Sequence, residues 1–340
     1  MNIHEIRSKA RERVKNRCRV CPVCDGRVCA GEVPGMGGIG SGMSFRNNVT
    51  ALASWRLNMR VLHDANSPDT SLKLWGRTLS LPVFAAPIGS VAVNLGSPMA
   101  DEEYTERLMQ GCIAAGTLAG TGDSMKMDMF RVYMDKAKGR GKSVVPFIKP
   151  WDKDTVASRL DMAREAGCDI CGMDVDAAGL TVLRNIPNPV AVKTPEELAE
   201  IIDFAHQRGM KFIVKGVMTV DEAEAATDAG ADAVVVSNHG GRVLDHTPGT
   251  AEVLPEIAET VGDRTIVMVD GGIRTGADVL KMLGLGAKVA LICRPVAVML
   301  HGDEENGVKA YFDNLRDELS QAMRLTGCNS LDSIDGNVIC

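Results

Sequence analysis

From Leu81 onward, short apolar runs alternate with stretches that carry helical patterns, and the alternation occurs eight times in succession. Buried parallel strands are almost continuously apolar, and a helix after each strand returns the chain to the same edge of the sheet. The predicted strands are Leu81–Ala86, Gly116–Gly120, Val144–Ile148, Asp169–Val175, Lys211–Lys215, Ala233–Ser237, Thr265–Val269 and Val289–Ile292. Eight such units predict an α/β protein with a closed (β/α)8 barrel, the TIM-barrel architecture.

An open, doubly wound sheet is the alternative architecture for alternating strands and helices. Such sheets usually have fewer strands and carry a glycine-rich loop directly after the first strand. Here the first strand is followed by Ala86-Pro87-Ile88-Gly89, which lacks that pattern. A length of 340 residues also suits a barrel of about 250 residues with an added segment. The closed barrel is therefore the predicted fold.

Composition and charge narrow the class of protein. With 45% hydrophobic and 24% charged residues, the chain resembles a globular protein with a large core. A net charge of −6 gives no reason to expect binding to nucleic acid. No apolar run approaches the roughly 20 residues of a membrane span, and the charged first 20 residues lack the apolar centre of a signal peptide. We expect a cytoplasmic protein whose chain begins with a short amphipathic helix.

Residues 1–80 precede the barrel of residues 81–340 and are predicted to form an N-terminal extension to it. They contain a glycine run at residues 34–42 and a helical stretch, Phe45–Leu57. The glycine run lacks the Gly-Lys-Ser/Thr ending of a phosphate-binding nucleotide loop. It is therefore interpreted as a mobile lid or a plain linker.

Barrel enzymes carry their chemistry at the carboxyl ends of the strands. Lys215 ends the fifth predicted strand, and His239 and Arg242 follow the sixth within a His-Gly-Gly-Arg turn. The turn places a potential base and a guanidinium three residues apart, and its glycines let the backbone approach a flat ligand.

The loops after the seventh and eighth strands carry features of a phosphate site. They read Asp270-Gly271-Gly272-Ile273-Arg274 and Cys293-Arg294-Pro295. Glycine frees backbone N–H groups, and guanidiniums bind phosphate oxygens in pairs. Phosphate sites recur at this position in barrels, so a phosphorylated ligand is predicted here.

The segment Ser237–Asp245 resembles the signature of the FMN-dependent 2-hydroxy-acid oxidase and dehydrogenase family, which includes glycolate oxidase, lactate oxidase and flavin-linked lactate dehydrogenases. The resemblance extends over Lys211–Pro295. It implies that the N-terminal extension folds over the barrel mouth and that the protein is a homo-oligomer, a tetramer or octamer. It also implies an FMN site formed by Ala85, Ala86, Pro87, Lys215, Ser237, His239, Asp270, Gly271, Gly272, Arg274, Cys293 and Arg294.

The resemblance implies individual roles as well. Lys215 would lie beside the N1/C2 edge of the flavin, and Ser237 would hydrogen-bond the isoalloxazine. His239 would be the catalytic base, and Arg242 would hold the carboxylate of a small-molecule substrate. Oxidising a C–H that bears a hydroxyl needs such a base and clamp, together with a cation near the ring that receives the electrons.

The predicted activity is FMN-dependent oxidation of a 2-hydroxy acid, lactate-like, or of a related CH–OH compound. Electrons would leave to an external acceptor other than NAD. Three alternatives stay open. They are a flavin-dependent isomerase of the type 2 isopentenyl diphosphate isomerase kind, an oxidative maturase of a peptide-derived cofactor, and a non-catalytic redox sensor.

The first half of the barrel departs from the family pattern. The family's tyrosine after the third strand has no counterpart in the segment that ends with Lys149-Pro150. Asp123, Lys149, Asp174 and Asp176 all fall at predicted strand ends. One hypothesis is a substrate larger or more cationic than lactate, with an amino group facing the aspartates. The alternative is that these charges pair with one another or face solvent.

The extension also carries a cysteine motif with C-x2-C-x2-C-x4-C spacing, formed by Cys18, Cys21, Cys24 and Cys29. This spacing is close to that of ferredoxin-type iron–sulfur ligands. Structural zinc more often uses two C-x2-C pairs separated by a longer loop. Iron–sulfur cluster, zinc, and free or redox-active thiols are the three interpretations. A cluster near the barrel mouth would favour a dehydrogenase over an oxidase.

Overall fold

The computed structural model describes residues 2–14, 18–124, 126–183, 186 and 189–340. Its strands are β1 (Leu72–Leu74), β2 (Arg77–Leu79), β3 (Val83–Ala85), β4 (Ala119–Thr121), β5 (Val144–Ile148), β6 (Ile170–Asp174), β7 (Lys211–Val217), β8 (Ala233–Val236), β9 (Ile266–Val269) and β10 (Val289–Ile292). Strands β3 to β10 pair in parallel in chain order, and β10 pairs with β3 to close the barrel. The predicted (β/α)8 fold is confirmed.

The α-helices fill the connections between strands and the chain ends. They are α1 (Ile3–Arg13), α2 (Met43–Ser54), α3 (Val91–Asn94), α4 (Asp101–Ala114), α5 (Met127–Ala137), α6 (Lys153–Glu165), α7 (Pro195–Gln207), α8 (Val220–Asp228), α9 (Thr250–Val261), α10 (Gly276–Gly284) and α11 (Arg294–Arg324). Helix α7 shows why these segments are helical. Thr194 and Glu197 form a reciprocal capping box, and Pro195 occupies the first turn, where its missing N–H costs nothing.

The predicted and observed ends of a strand agree best where polar or charged residues directly follow the apolar run. The fifth and tenth strands, β5 and β10, match the prediction residue for residue. The second predicted run, Gly116–Gly120, is displaced, because the strand begins only at Ala119. Gly116 has a φ of +74° and its N–H bonds to the carbonyl of Ile113, so it belongs to the turn that ends α4.

A feature that the sequence analysis did not predict is the antiparallel hairpin of β1 and β2. Leu74 and Leu79 of this hairpin pack with Phe84, Phe147 and other side chains of the barrel interior. The hairpin therefore closes the amino-terminal end of the barrel. The carboxyl end is left for a ligand site.

The N-terminal residues dock onto the barrel at two places. Helix α1 packs on α11, where Gly302 is required because a Cβ there would lie 2.3 Å from the carbonyl oxygen of Ile6. Further along, the Ile39 N–H donates to the Gly241 carbonyl (2.8 Å), and the Asp245 carboxylate accepts from the Met43 N–H (3.0 Å). The glycine run thus lies against the loop after β8.

Within the described ranges, no helix combines the length and the apolar character that crossing a membrane requires.

Candidate active site

A pocket opens at the carboxyl end of the barrel, where the predicted site residues converge. Its walls come from the loops after β3 to β10, from residues 90–95 and from Met36. The predicted residues that border it are Ala86, Pro87, Lys215, His239, Arg242, Asp270, Gly271, Gly272, Arg274, Cys293 and Arg294. Two predicted FMN contacts, Ala85 and Ser237, are buried directly behind this wall.

The turn after β8 is held in an unusual backbone conformation. His239 has a φ of +56°, in the left-handed region that costs a non-glycine residue of the order of 1 kcal/mol or more. Its N–H donates to Ser237 Oγ (3.0 Å), and the Asn238 amide pairs with that of Asn48 on α2. Gly241 must be glycine, since a Cβ there would lie 2.4 Å from the backbone nitrogen of Phe45. Helix α2 therefore fixes the position of His239.

His239 is paired with a carboxylate from a different strand end. Its Nδ1 lies 3.0 Å from Asp176 Oδ1, two residues past the end of β6. A carboxylate in this position sets the tautomer and leaves Nε2, on the opposite side of the ring, free to accept a proton. The sequence analysis placed Asp176 at the barrel mouth without this partner.

Lys215 forms the buried centre of a charge network. Its Nζ lies 3.3 Å from Asp174 Oδ1 and 3.4 Å from Asp270 Oδ2, and it donates to Ser237 Oγ at 3.2 Å. Burial works against its charge, but the two aspartates outweigh burial and hold its pKa above the ordinary value. Lys215 is therefore an ammonium at neutral pH.

Arg242 borders the same pocket with no carboxylate partner among the described residues. It donates to the carbonyl of Gly35 and to Asn94 Oδ1 (2.8 Å). Burial, with Arg294 nearby, lowers its pKa to about 10, so the guanidinium keeps its charge at neutral pH. A cation held by neutral groups is suited to an anionic ligand.

Two more arginines border the far end of the pocket. The Arg294 guanidinium lies 4.0 Å from the centroid of the Phe45 ring and donates to the Met36 carbonyl (2.7 Å). Arg294 is also the first residue of α11, whose unpaired N–H groups favour an anion. Arg274 Nε is buried and has no hydrogen-bond partner among the described residues; it is close in sequence to the double glycine 271–272, where both φ values are positive.

The three aspartates that suggested a cationic substrate are paired inside the protein. Asp174 pairs with Lys215 and Asp176 with His239. Asp123 pairs with buried Arg159 of α6 and accepts from Trp151 Nε1 at 2.6 Å. These pairs favour the alternative of mutual pairing over the hypothesis of a substrate amine that faces free carboxylates.

Lys149 is different from the aspartates, because it has no ion pair or side-chain hydrogen bond among the described residues. It is buried at the pocket wall, and burial lowers its pKa, against the opposing effect of Asp174 and Asp176. The Lys149 side chain thus stands near the position where the family pattern has a tyrosine.

Replacing Asp123 tests its structural role. We expect Asp123→Asn to lower the free energy of unfolding by about 3 kcal/mol, because it removes the carboxylate charge from a buried ion pair with Arg159. Asp228→Asn is the matched control. It breaks an exposed pair with Arg264 and should cost less than about 1 kcal/mol. Urea unfolding measures both changes, and equal small losses would contradict the assignment.

A basic pocket at the carboxyl end of a closed barrel, with glycine loops after its last two strands, defines a barrel enzyme that binds a phosphorylated ligand. Comparison with known proteins specifies the family. The model of the FMN-dependent dehydrogenase family matches residues 35–204 and 191–340. The chain belongs to this family, as the resemblance implied.

Individual relatives agree with this assignment along almost the whole chain. An L-lactate dehydrogenase of Caulobacter sp. (strain K31) is 30% identical over 351 residues, covering 89% of this chain and 92% of the relative. An L-lactate oxidase of Lactobacillus jensenii is 30% identical over 322 residues, covering 86% and 76%. A crystal structure of a mandelate oxidase variant with 2-hydroxy-phenylacetamide has a TM-score of 0.80 at 26% identity, covering 100% of this chain and 97% of that one.

The residues of the pocket fit FMN, the cofactor of the family. Among the described residues, two buried polar atoms border the pocket with no polar partner, namely Asp270 Oδ1 and Arg274 Nε, and Asp174 Oδ1 has only the Lys215 ammonium, at 3.3 Å. Buried polar atoms are rarely left unpaired unless a ligand or water completes them. The two acceptors suit hydroxyl or N–H groups of the cofactor, and the Arg274 donor suits its phosphate.

Proposed function

We propose that the protein oxidises a 2-hydroxy acid to the 2-oxo acid, with His239 as the base and Arg242 as the carboxylate clamp. The observation that best supports this is their joint position on one pocket. His239 is oriented by Asp176, and Arg242 has no carboxylate partner within the described residues. Bound FMN supplies the acceptor for the two electrons. The dependence of the family on FMN supports the transfer of electrons from the flavin to an acceptor other than NAD.

His239 takes the proton that the substrate releases, and Asp176 stabilises the resulting imidazolium. The carboxylate lies 3.0 Å from Nδ1, where it keeps the ring from rotating and faces the positive charge that develops on it. Asp176 acts through His239 and is a positioning residue. Its second oxygen, Oδ2, is buried and has no hydrogen-bond partner among the described residues.

Arg242 binds the substrate carboxylate when that carboxylate replaces the protein groups that now accept its hydrogen bonds. In the structure the Gly35 carbonyl and the Asn94 side chain occupy its donors. A carboxylate is a stronger hydrogen-bond acceptor than a carbonyl or an amide, and its two oxygens can each accept from one N–H of the guanidinium. Because Gly35 belongs to the glycine run, this exchange would also release a contact between Arg242 and that run.

Lys215 supplies the positive charge at the flavin. Its ammonium is kept protonated by Asp174 and Asp270, so it can stabilise negative charge that develops on the reduced cofactor. Ser237 accepts from both Lys215 and the His239 backbone, which ties the cation to the base.

Arg274 is assigned to the FMN phosphate, and this can be tested through binding alone. We expect Arg274→Gln to raise the Kd for FMN about 10- to 100-fold, since a charge-assisted hydrogen bond contributes roughly 1.5–3 kcal/mol. Riboflavin, which has no phosphate, should bind wild type and variant alike. Fluorescence titration of the flavin-free protein measures both.

The control for this variant is Arg264→Gln, which removes an exposed guanidinium on the outside of the barrel. It should leave both titrations unchanged. If Arg274→Gln weakened riboflavin and FMN equally, the phosphate assignment would be wrong.

The activity itself is tested by mixing the FMN-loaded protein anaerobically with glycolate, L-lactate and mandelate, with alanine as the control. At least one hydroxy acid should bleach the flavin and yield one 2-oxo acid per FMN. If dithionite bleached the flavin and every hydroxy acid failed, the proposed function would be rejected. The isomerase and maturase alternatives are not favoured, because the relatives are named dehydrogenases and oxidases.

None of the four thiols of the cysteine motif borders the flavin pocket. The motif is therefore no part of the function proposed for that pocket.

A further inference from the structure

The four cysteines of the motif border a second cavity of their own. Cys18, Cys21, Cys24 and Cys29 all contribute to its wall, although they span twelve residues of chain without regular secondary structure. We propose that these four thiols, as thiolates, bind an iron–sulfur cluster in this cavity. The proposal does not depend on the function proposed for the flavin pocket.

The chemistry of the four side chains is that of a metal-binding set rather than of a disulfide pair. All four are free thiols. Each is half-buried and borders the same cavity, so one bound cluster can take all four as thiolate ligands.

The spacing of the sulfurs favours a cluster over a single zinc ion. Zinc–sulfur bonds of about 2.3 Å in a tetrahedron place the sulfurs about 3.8 Å apart. All four cysteines are described, yet no three of their Sγ atoms lie within 4.8 Å of one another. A [4Fe–4S] cluster binds each thiolate through a separate iron atom and so needs sulfurs spread around a cavity. In the structure the four cysteines lie around one cavity, and no three of their sulfurs are gathered as a single ion requires.

Hydrogen bonds to sulfur support the same conclusion. The Val20 N–H donates to Cys18 Sγ (3.4 Å), and Arg274 Nη2 donates to Cys24 Sγ (3.6 Å). Val20 has a φ of +46°, a costly conformation for a β-branched residue, and it keeps this amide close to the sulfur. Such hydrogen bonds stabilise thiolate ligands and tune the potential of a cluster.

The residues around the cavity suit an iron–sulfur cluster, which carries net negative charge with its four thiolates and is sensitive to water. Arg7 donates to the Cys21 carbonyl (2.6 Å) and also borders the cavity, as do Arg274 and Arg294. These guanidiniums offset the net negative charge of a cluster with four thiolates. Pro295 and Val298 give the cavity an apolar side.

The second cavity adjoins the flavin pocket. Met36, Arg274 and Arg294 border both spaces. The two arginines therefore separate the proposed cluster from the phosphate end of the flavin site. The proposed cluster ligands are cysteines that do not border the flavin pocket, so a cysteine variant can lose the cluster and keep FMN.

The test is metal analysis of the full-length protein purified under strict anaerobic conditions, with FMN measured in the same sample. We expect iron and acid-labile sulfide in equal amounts, about four of each per chain, and a paramagnetic resonance signal after reduction with dithionite. Cys24→Ser and Cys21→Ser should each lose most of the iron and sulfide. Cys340→Ser, which changes an exposed cysteine outside the motif, should keep both.

Three results would overturn the proposal: neither iron nor sulfide in the wild-type protein, one zinc per chain in their place, or unchanged iron in both motif variants. FMN content and circular dichroism show whether each variant has folded, and the wild-type analysis decides the question if it has not. Protein with FMN and no iron would reject only the cluster. Protein with iron and no FMN would reject only the flavin site.

Discussion

Replacing His239 by Gln should lower the rate of flavin reduction by a 2-hydroxy acid up to about 10⁴-fold while FMN stays bound. A positioned base contributes about 10²- to 10⁴-fold to proton transfer, and glutamine keeps the size of the side chain without its basic nitrogen. Loss at the upper end is expected because the amide of glutamine cannot take up a proton, so Asp176 no longer has an imidazolium to stabilise. Anaerobic stopped-flow mixing measures the rate, and the visible spectrum reports the bound FMN.

The control for this change is His246→Asn in the same loop. His246 also has a positive φ, of +63°, but its side chain is 73% exposed and it does not border the pocket. Its replacement should change the reduction rate less than about twofold, since surface substitutions away from the site have small effects. Equal losses of reduction rate in the two variants would show that the rate depends on the conformation of the loop and not on the His239 imidazole.

Replacing Arg242 by Met should lower kcat/KM for the same substrate about 10²- to 10³-fold. Truncating one partner of a buried, hydrogen-bonded charge pair costs 2–5 kcal/mol, and methionine fills much of the space without donating. The loss should fall mainly on KM if Arg242 only binds the carboxylate, and on kcat as well if it also orients the substrate above the cofactor.

A neutral analogue makes the Arg242 test specific. The amide of the best 2-hydroxy acid lacks the carboxylate charge, so wild type should prefer the acid strongly and Arg242→Met should not. Arg316→Met, which removes a guanidinium exposed on α11, is the control and should keep the wild-type preference. An unchanged preference in Arg242→Met would mean that another cation, such as Lys149, binds the carboxylate.

The barrel could be predicted from the sequence because each of its strands can be recognised from a few consecutive residues. Continuous apolar runs with polar breaks, such as Val144–Ile148 and Val289–Ile292, define buried parallel strands without knowledge of the neighbours. The hairpin Leu72–Leu79 was missed because its strands are three residues long. Its turn, Trp75-Gly76, has positive φ at both positions, and tryptophan is not a residue that signals such a turn.

The partners within the site could not be predicted from the same local evidence. Asp176 and His239 are 63 residues apart and meet only because the barrel brings the ends of β6 and β8 to one mouth. Asp123 had the same appearance in the sequence as Asp176, a carboxylate at a strand end, yet Arg159 from α6 neutralises it. Which cation each aspartate meets is decided by packing of helices and loops that periodicity does not specify.

The most direct test is a crystal structure of the protein with FMN and a bound 2-oxo acid. The predicted result has the phosphate on Arg274 and Arg294, Lys215 at the edge of the ring, and the 2-oxo acid between His239 and Arg242. A flavin bound elsewhere, or a carboxylate bound away from Arg242 with the His239 ring turned from the ligand, would contradict the account.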